Sequence, residues 1–449
     1  MAILSILEPK IDRRDVPSVT AAATPPVVGA GLQVPLADGR TVTYANLDHA
    51  ASAPSLESVR AAVDATLVSY ASVHRGSGWA SRITTEFYEQ ARHEVATFVG
   101  ARASDEVVFT RQTTDALTLL ARCLPADTTV LVFDSEHHAN LLPWPADRTL
   151  RLGVPRDPRG LIATLAGALR DAPAGPRLVC VTGASNVTGE LLPVAEIAAL
   201  AHAHGARVCL DAAQLAPHRK VDITALDVDY VAISGHKLYA PFGAGALVGR
   251  SDWLDAADPY LPGGGATERV DASGVVWTTG SDRHEGGSPN VIGAVALAAA
   301  CAALTEHRDA VEAHEALLSA RLRSGLGAID GVRLLSLFSE THDRVGTVAF
   351  TVAGFPSGLV SAYLSAEYGI GVRDGKFCAH QLTDALLADD DESRAVRASL
   401  GLGSTLEHVD RLAGAIRTLV NRGPGQTYTF TEDGWTVAGD QRELPHRPW

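Results

Sequence analysis

The stretch Asp229-Tyr230-Val231-Ala232-Ile233-Ser234-Gly235-His236-Lys237 decides how this chain is read. Its apolar, partly β-branched run lacks polar alternation, the pattern of a strand buried on both faces of a sheet. In open α/β sheets the chemistry collects beyond the carboxyl ends of such strands, and Lys237 stands at that edge. A lysine held in a partly dry pocket loses some of its preference for the ammonium form and can become the neutral amine that condenses with an aldehyde. Taken alone, a lysine after a strand is an ordinary surface residue, so the neighbouring strand ends have to decide.

Working outward, strand-like runs at 107–110, 129–133, 178–182, 207–211, 230–234 and 245–249 alternate with helical patterns, among them 193–204, where Val194, Ile197, Ala198, Leu200 and Ala201 recur at helical spacing. Strands separated by helices predict a mostly parallel sheet flanked by helices, an α/β fold. Thr110-Arg111-Gln112-Thr113-Thr114 follows the first run and opens a helix, where hydroxyls and free backbone N–H groups can hold a phosphate. An ordinary N-cap by Thr113 or Thr114 explains the same residues. His137, in Glu136-His137-His138-Ala139-Asn140 after the second run, can stack on a flat ring or move protons, or be plain polar surface. No third ligand at a useful spacing accompanies these histidines, so no metal site is expected. Asn186 and the segment Asp211-Ala212-Ala213-Gln214 follow the next two runs. A carboxylate at a buried strand end is costly unless a cation faces it, and a pyridinium nitrogen is such a cation; a helix cap is the alternative for Asp211. Asn186 and Gln214 could then bond a ring oxygen.

With 449 residues the chain exceeds a single core. The divisions drawn are an N-terminal arm with little structure of its own (1–43), a large domain (44–305), a smaller α+β C-terminal domain (306–420) and a C-terminal surface extension (421–449). Helices are expected from 56, over 84–99, 292–304, 311–326 and 406–420, and a strand near 347–352. An apolar share of 46%, a charged share of 20% and a net charge of −14 fit a globular protein and argue against a nucleic-acid partner, which needs a basic face. No apolar run is long enough to span a membrane, and a cytoplasmic location is expected. The five cysteines form no CxxC pair. Cys123, Cys180, Cys209 and Cys301 sit in apolar contexts and read as packed thiols. Cys378 stands instead in a glycine-containing loop beside Arg373 and Lys376, a cationic setting of the kind that favours thiolates.

Five strand ends thus offer groups suited to one ligand with a phosphate, an aromatic ring, a ring nitrogen and an aldehyde: pyridoxal 5'-phosphate. From Tyr44 to Val420 the chain resembles the class V aminotransferase superfamily of pyridoxal-phosphate enzymes (fold type I), and within it the short-loop cysteine desulfurases of the SUF type and the selenocysteine lyases. The blocks that carry the likeness are Ser234-Gly235-His236-Lys237-Leu238-Tyr239, Glu136-His137-His138-Ala139-Asn140, Glu285-Gly286-Gly287-Ser288-Pro289-Asn290, Val372-Arg373-Asp374-Gly375-Lys376-Phe377-Cys378-Ala379 and Arg397-Ala398-Ser399. The resemblance implies Lys237 as the cofactor's lysine and the base that takes the Cα proton, His137 stacked on the ring and a catalytic route for the proton's return, and Asp211 on the ring nitrogen. It places Asn186 and Gln214 near the ring hydroxyl, and Thr113, Thr114, Ser234 and His236 on the phosphate. Ser288 would reach the phosphate of a second subunit in a homodimer. Cys378 would be the nucleophile, and Arg397, with Arg373 and Asn186, would hold the substrate. The activity implied is removal of sulfur from L-cysteine to leave L-alanine, with a persulfide on Cys378 that passes to a sulfur-acceptor protein. Selenocysteine lyase activity is a variant of it. His380 and Gln381 depart from the usual residues after the cysteine, Ser288 replaces a threonine, and the acidic run 389–391 is an addition. An aminotransferase, epimerase or C–S lyase on the same scaffold makes Cys378 incidental. A pyridoxal-phosphate-binding regulator without turnover is the reading from another class, against which stands the lack of a basic helix-turn-helix region.

Overall fold

The computed structural model describes residues 24–339, 341–390 and 392–448; residues 1–23 of the expected arm, Asp391 of the acidic run and Trp449 of the tail lie outside them. Seven strands form the large sheet: β1 (Asp105–Thr110), β2 (Thr129–Phe133), β3 (Thr149–Leu152), β4 (Arg177–Thr182), β5 (Arg207–Asp211), β6 (Tyr230–Ser234) and β7 (Gly245–Arg250), in the spatial order β1-β7-β6-β5-β4-β2-β3. Only β7 runs against its neighbours; the pairs from β6 across to β3 are parallel. The carboxyl ends of β1, β2, β4, β5 and β6 therefore open on one edge.

Both faces of this sheet are dry, which is why its strands read as unbroken apolar runs. On one face Leu131, Phe133, Val179, Val181, Val208, Leu210, Val231 and Ile233 pack into the main core; on the other, Val130, Val132, Leu178, Cys180, Cys209, Tyr230 and Ala232 pack with Leu117 and Leu120 of the helix Thr113–Arg122. The strand β3 had no expectation attached to it. Thr-Leu-Arg-Leu is a short edge strand with two exposed central residues, so it shows neither two-faced burial nor a long alternation. The helix expected over 84–99 begins earlier, at Trp79, after an extended Gly78. Trp79 is 71% exposed, so the first turn has no apolar stripe to read.

A second, antiparallel sheet comprises β8 (Val332–Leu334), β9 (Thr347–Val352), β10 (Arg373–Gly375) and β11 (Ala395–Ser399), in the order β8-β9-β11-β10. Helices Arg308–Gly327, Ser357–Tyr368 and Leu406–Arg422 share its core through Leu322, Val360, Val409, Leu412 and Ile416. The edge strand β10 sets Arg373 opposite Arg397 and leads into the loop of Cys378. Two terminal segments are more ordered than their composition indicated. Gln33–Pro35 pairs with Thr41–Thr43, and a C-terminal hairpin pairs Tyr428–Thr431 with Gly434–Val437. The carboxylate of Glu367 anchors the start of that hairpin by accepting from the Gly425 and Gln426 backbone N–H groups and the Tyr428 hydroxyl. Among the described residues no single helix is long and apolar enough to cross a membrane.

Candidate active site

The carboxyl edge of the large sheet and the loop after β10 enclose a cavity of about 200 Å³. Of the residues singled out from sequence, Thr113, Thr114, His137, Asn186, Asp211, Gln214, Ser234, His236, Lys237, Arg373, Cys378 and Arg397 all line it. Ser288 does not. It lies in a separate cleft with His74, Arg75 and Tyr88.

After β1, the Gln112 side chain caps the helix by accepting from the Asp115 N–H at 2.9 Å. Thr113 is therefore not needed as the cap, and its hydroxyl is buried without a partner. The Ser234 hydroxyl, at the end of β6, is likewise buried and unpartnered. Two orphaned hydroxyls, a helix N-terminus and His236 facing one cavity form a cradle for a phosphate.

After β2, His137 Nδ1 accepts from the Ala139 N–H at 3.0 Å, so a neutral ring carries its proton on Nε2. Burial, helped by Lys237, lowers its pKa to about 3. The ring is a flat, neutral surface at ordinary pH rather than a charged proton carrier. After β5, Asp211 Oδ1 accepts from the Ala213 N–H at 2.9 Å. Burial raises the pKa of this carboxyl, against that N–H and the opposing charge of Lys237. Gln214 donates to the Ala50 carbonyl at 2.7 Å and leaves its own Oε1 buried and unpartnered.

Lys237 follows a tight turn that only glycine permits at its second position. A Cβ on Gly235 would stand 2.5 Å from the Ala244 carbonyl oxygen, across the bond from the Gly235 N–H to that same carbonyl. The half-buried Lys237 has its pKa lowered to about 8; burial is the main cause, opposed by Asp211 and reinforced by Arg397. At pH 7 about a tenth of it is then the free amine, far more than for a lysine in water.

The Cys378 loop is held in an unusual conformation. Phe377 and Cys378 both have positive φ, 52° and 55°, a region that costs non-glycine residues energy unless the surroundings impose it. Here they do. Asn186 Nδ2 donates to the Phe377 carbonyl at 2.7 Å, and the His138 N–H donates to the Cys378 carbonyl at 2.8 Å. The Phe377 ring is buried among Val187, Leu335 and Leu382. The departures His380 and Gln381 open the next helix, and the His380 ring meets His138 edge-on at 4.5 Å. Cys378 is partly exposed, whereas Cys123, Cys180, Cys209 and Cys301 are buried. Of the two cations expected beside Cys378, Lys376 pairs instead with Asp384 of the following helix at 2.6 Å and does not line the cavity; Arg373 and Arg397 do.

Arg397 is 2% exposed. It donates through Nη1 to the Asn186 carbonyl at 3.0 Å and through Nη2 to Asp48 Oδ1 at 2.9 Å, and its Nε is left without an acceptor. Asp48, Gln112 and His138 were not foreseen as site residues. Asp48 and Gln112 stand in loops already marked by small residues or by a helix start; for His138, whose backbone does the work, no side-chain signal exists.

A family model described as Aminotransferase class-V matches residues 45–412. A cysteine desulfurase of Dickeya dadantii is 37% identical over 396 residues, spanning 85% of this chain and 93% of that protein. A probable cysteine desulfurase of Vibrio cholerae is 36% identical over 361 residues, 78% of this chain and 87% of that protein. Among solved structures, a cysteine desulfurase from Escherichia coli superposes with a TM-score of 0.71 at 31% identity, covering 83% of this chain and 94% of that one. The apo cysteine desulfurase of Thermococcus onnurineus superposes at 0.76 with 29% identity, covering 89% and 99%. With its strand-end lysine, its carboxylate on the same sheet edge and this match over most of its length, the chain belongs to the class-V aminotransferase family.

Proposed function

We propose that this protein is a pyridoxal-phosphate-dependent cysteine desulfurase, converting L-cysteine to L-alanine with the sulfur retained as a persulfide on Cys378. The observation that carries the reading is a partly exposed thiol, on a loop tied down by Asn186 and His138, lining the same cavity as Lys237, Asp211 and Arg397. The donor set fits the cofactor. Thr113 and Ser234 bring unpartnered buried hydroxyls for a phosphate, Asp211 a carboxylate for a pyridinium nitrogen, and Lys237 a partly neutral amine for an aldehyde. Bound there, pyridoxal phosphate supplies an aldehyde for amines and an electron sink for a carbanion.

Arg397 and Arg373 bind the substrate carboxylate. Lys237, released as a free amine, removes the Cα proton and later returns a proton to the product. His137 covers the ring as a neutral plate. The thiolate of Cys378 attacks the substrate sulfur; an S–S bond forms as the substrate Cβ–S bond breaks, and the bonding pair stays with the carbon, which takes up one proton to become the alanine methyl group. The persulfide then passes to an acceptor thiol. A free thiol of this kind belongs in a compartment that keeps cysteines reduced, which favours the cytoplasm. Ser288, set in its own cleft away from the cavity, supports a homodimer in which it serves the partner's phosphate.

The deciding experiment compares wild type with Cys378→Ser for alanine release and protein-bound persulfide from L-cysteine. Cofactor binding should persist in the variant while both products fall by orders of magnitude. Equal alanine rates would replace the desulfurase by a C–S lyase.

A further inference from the structure

Beneath the cavity lies an ionisable group that the proposed reaction does not use. Glu136 is fully buried, at 0% exposure, and so is Asn140, four residues on in the short helix His138–Leu141. Glu136 Oε2 accepts from Asn140 Nδ2 at 2.7 Å, while Glu136 Oε1 and Asn140 Oδ1 are both buried with no donor. The pair already shares one bond, and each partner keeps one buried oxygen that accepts nothing. A protonated carboxyl supplies a hydrogen to join them. A carboxylate here would keep both orphans and set a buried charge against no cation, with only the Asn140 amide and the Thr182 backbone to offset it, a costly arrangement. The ionisable groups facing Glu136 are Asp211, Cys180 and Cys209, and among the described residues no cation is paired with it.

We propose that Glu136 is held as a neutral carboxylic acid that donates its O–H to Asn140 Oδ1, closing a two-bond acid–amide ring that fixes the turn bearing His137 and leaves Asp211 the single anion under the cavity. Glu136 is thus a positioning residue. The ring ties position 136 to position 140, and Asn140 is braced on both sides: its N–H donates to the His137 carbonyl at 2.8 Å and its own carbonyl accepts from Trp144 Nε1 at 2.8 Å. Its electrostatic consequence falls on Asp211, whose ionisation a second carboxylate would oppose. Burial raises the pKa of Glu136 to about 8, against the bonds from Asn140 and the Thr182 backbone and with the help of Asp211. What Asp211 and His137 serve rests on the proposed function; the state of Glu136 does not.

The test uses the full chain as purified. Infrared spectroscopy should show at pH 6.5 the carbonyl stretch of a protonated carboxyl, which fades as the pH rises through about 8, is absent in Glu136→Gln and survives in Asp211→Asn. Glutamine reproduces both bonds of the ring and has no proton to lose. Between about pH 5 and 8 the unfolded chain gives up the Glu136 proton and the native one keeps it, so this group costs the wild type stability as pH rises. The Tm of Glu136→Gln minus that of wild type should therefore climb across this window. A flat or falling difference, or a carboxyl band that vanishes in Asp211→Asn and so belongs to Asp211, overturns the proposal. If Glu136→Gln does not fold, the wild-type band and its survival in Asp211→Asn decide alone. Neither readout involves turnover, so their failure leaves the desulfurase reading standing, and loss of that reading leaves them intact.

Discussion

Replacing Arg397 by lysine separates substrate binding from scaffolding at the most buried cation of the site. The guanidinium is 2% exposed and joins two segments, accepting neither but donating to both: the Asn186 carbonyl at 3.0 Å and the Asp48 carboxylate at 2.9 Å. Its unpartnered Nε–H adds to the Arg373 guanidinium across the β10–β11 register as a donor for an incoming carboxylate. A lysine keeps the charge but has one nitrogen and no planar fork. It can satisfy one of the two existing partners, so one charged hydrogen bond, about 1.5–3 kcal/mol, is lost from stability. A two-point grip on substrate reduced to one contact costs about 1.4–2.8 kcal/mol of binding, which is about 10- to 100-fold. The assay is alanine formation against cysteine concentration, with a parallel denaturant titration. KM should rise about 10- to 100-fold while kcat changes a few-fold at most. A variant that loses stability yet keeps the wild-type KM would refute the reasoning and reduce Arg397 to a tie between Asp48 and Asn186.

Three further outcomes follow from the same geometry. Lys237→Ala should lose the visible absorption of lysine-bound pyridoxal phosphate and with it turnover; in the wild-type protein freed of cofactor, the rate of cofactor capture should rise with pH through a midpoint at about 8 and level off once the amine is neutral above it, and a midpoint in the ordinary lysine range would contradict the buried setting. His49 is 5% exposed with both ring nitrogens unpartnered, and burial lowers its pKa to about 4. Its depressed pKa means that the unfolded chain takes up a proton below about pH 6.5 that the native chain refuses until about pH 4, so stability is lost as pH falls through that window. The His49→Leu variant should lack about 3 kcal/mol of this acid dependence, and urea titrations at pH 4.5 and 7 showing the same slope in both proteins would dismiss it. Sedimentation should give a dimer, and Ser288→Ala should weaken cofactor binding without altering the cavity of its own subunit; full affinity in that variant would leave the second cleft without a catalytic connection.

The order of strands and the polar groups at their ends could be read directly because each is encoded within a few contiguous residues. Two-faced burial imposes an unbroken apolar run, as at Tyr230–Ser234, and the chain must turn where the run stops, so Thr113, His137, Asn186, Asp211 and Lys237 announce themselves by position. Parallel packing then brings those ends to one edge whatever the details. The edge strand Thr149–Leu152 escaped since one neighbour and partial exposure leave no such pattern. Tertiary structure alone decided who pays for the strained cysteine loop. Phe377 and Cys378 hold positive φ because Asn186 and His138, which follow strands of the other sheet, satisfy their carbonyls. The pairing of Arg397 with Asp48 spans 349 positions, and Lys376 pairs with Asp384 rather than lining the cavity beside Cys378. Local sequence carries propensity and period. It does not record which distant donor ends up opposite which acceptor, because that is fixed only when two sheets, each folded by its own core, meet around one cavity.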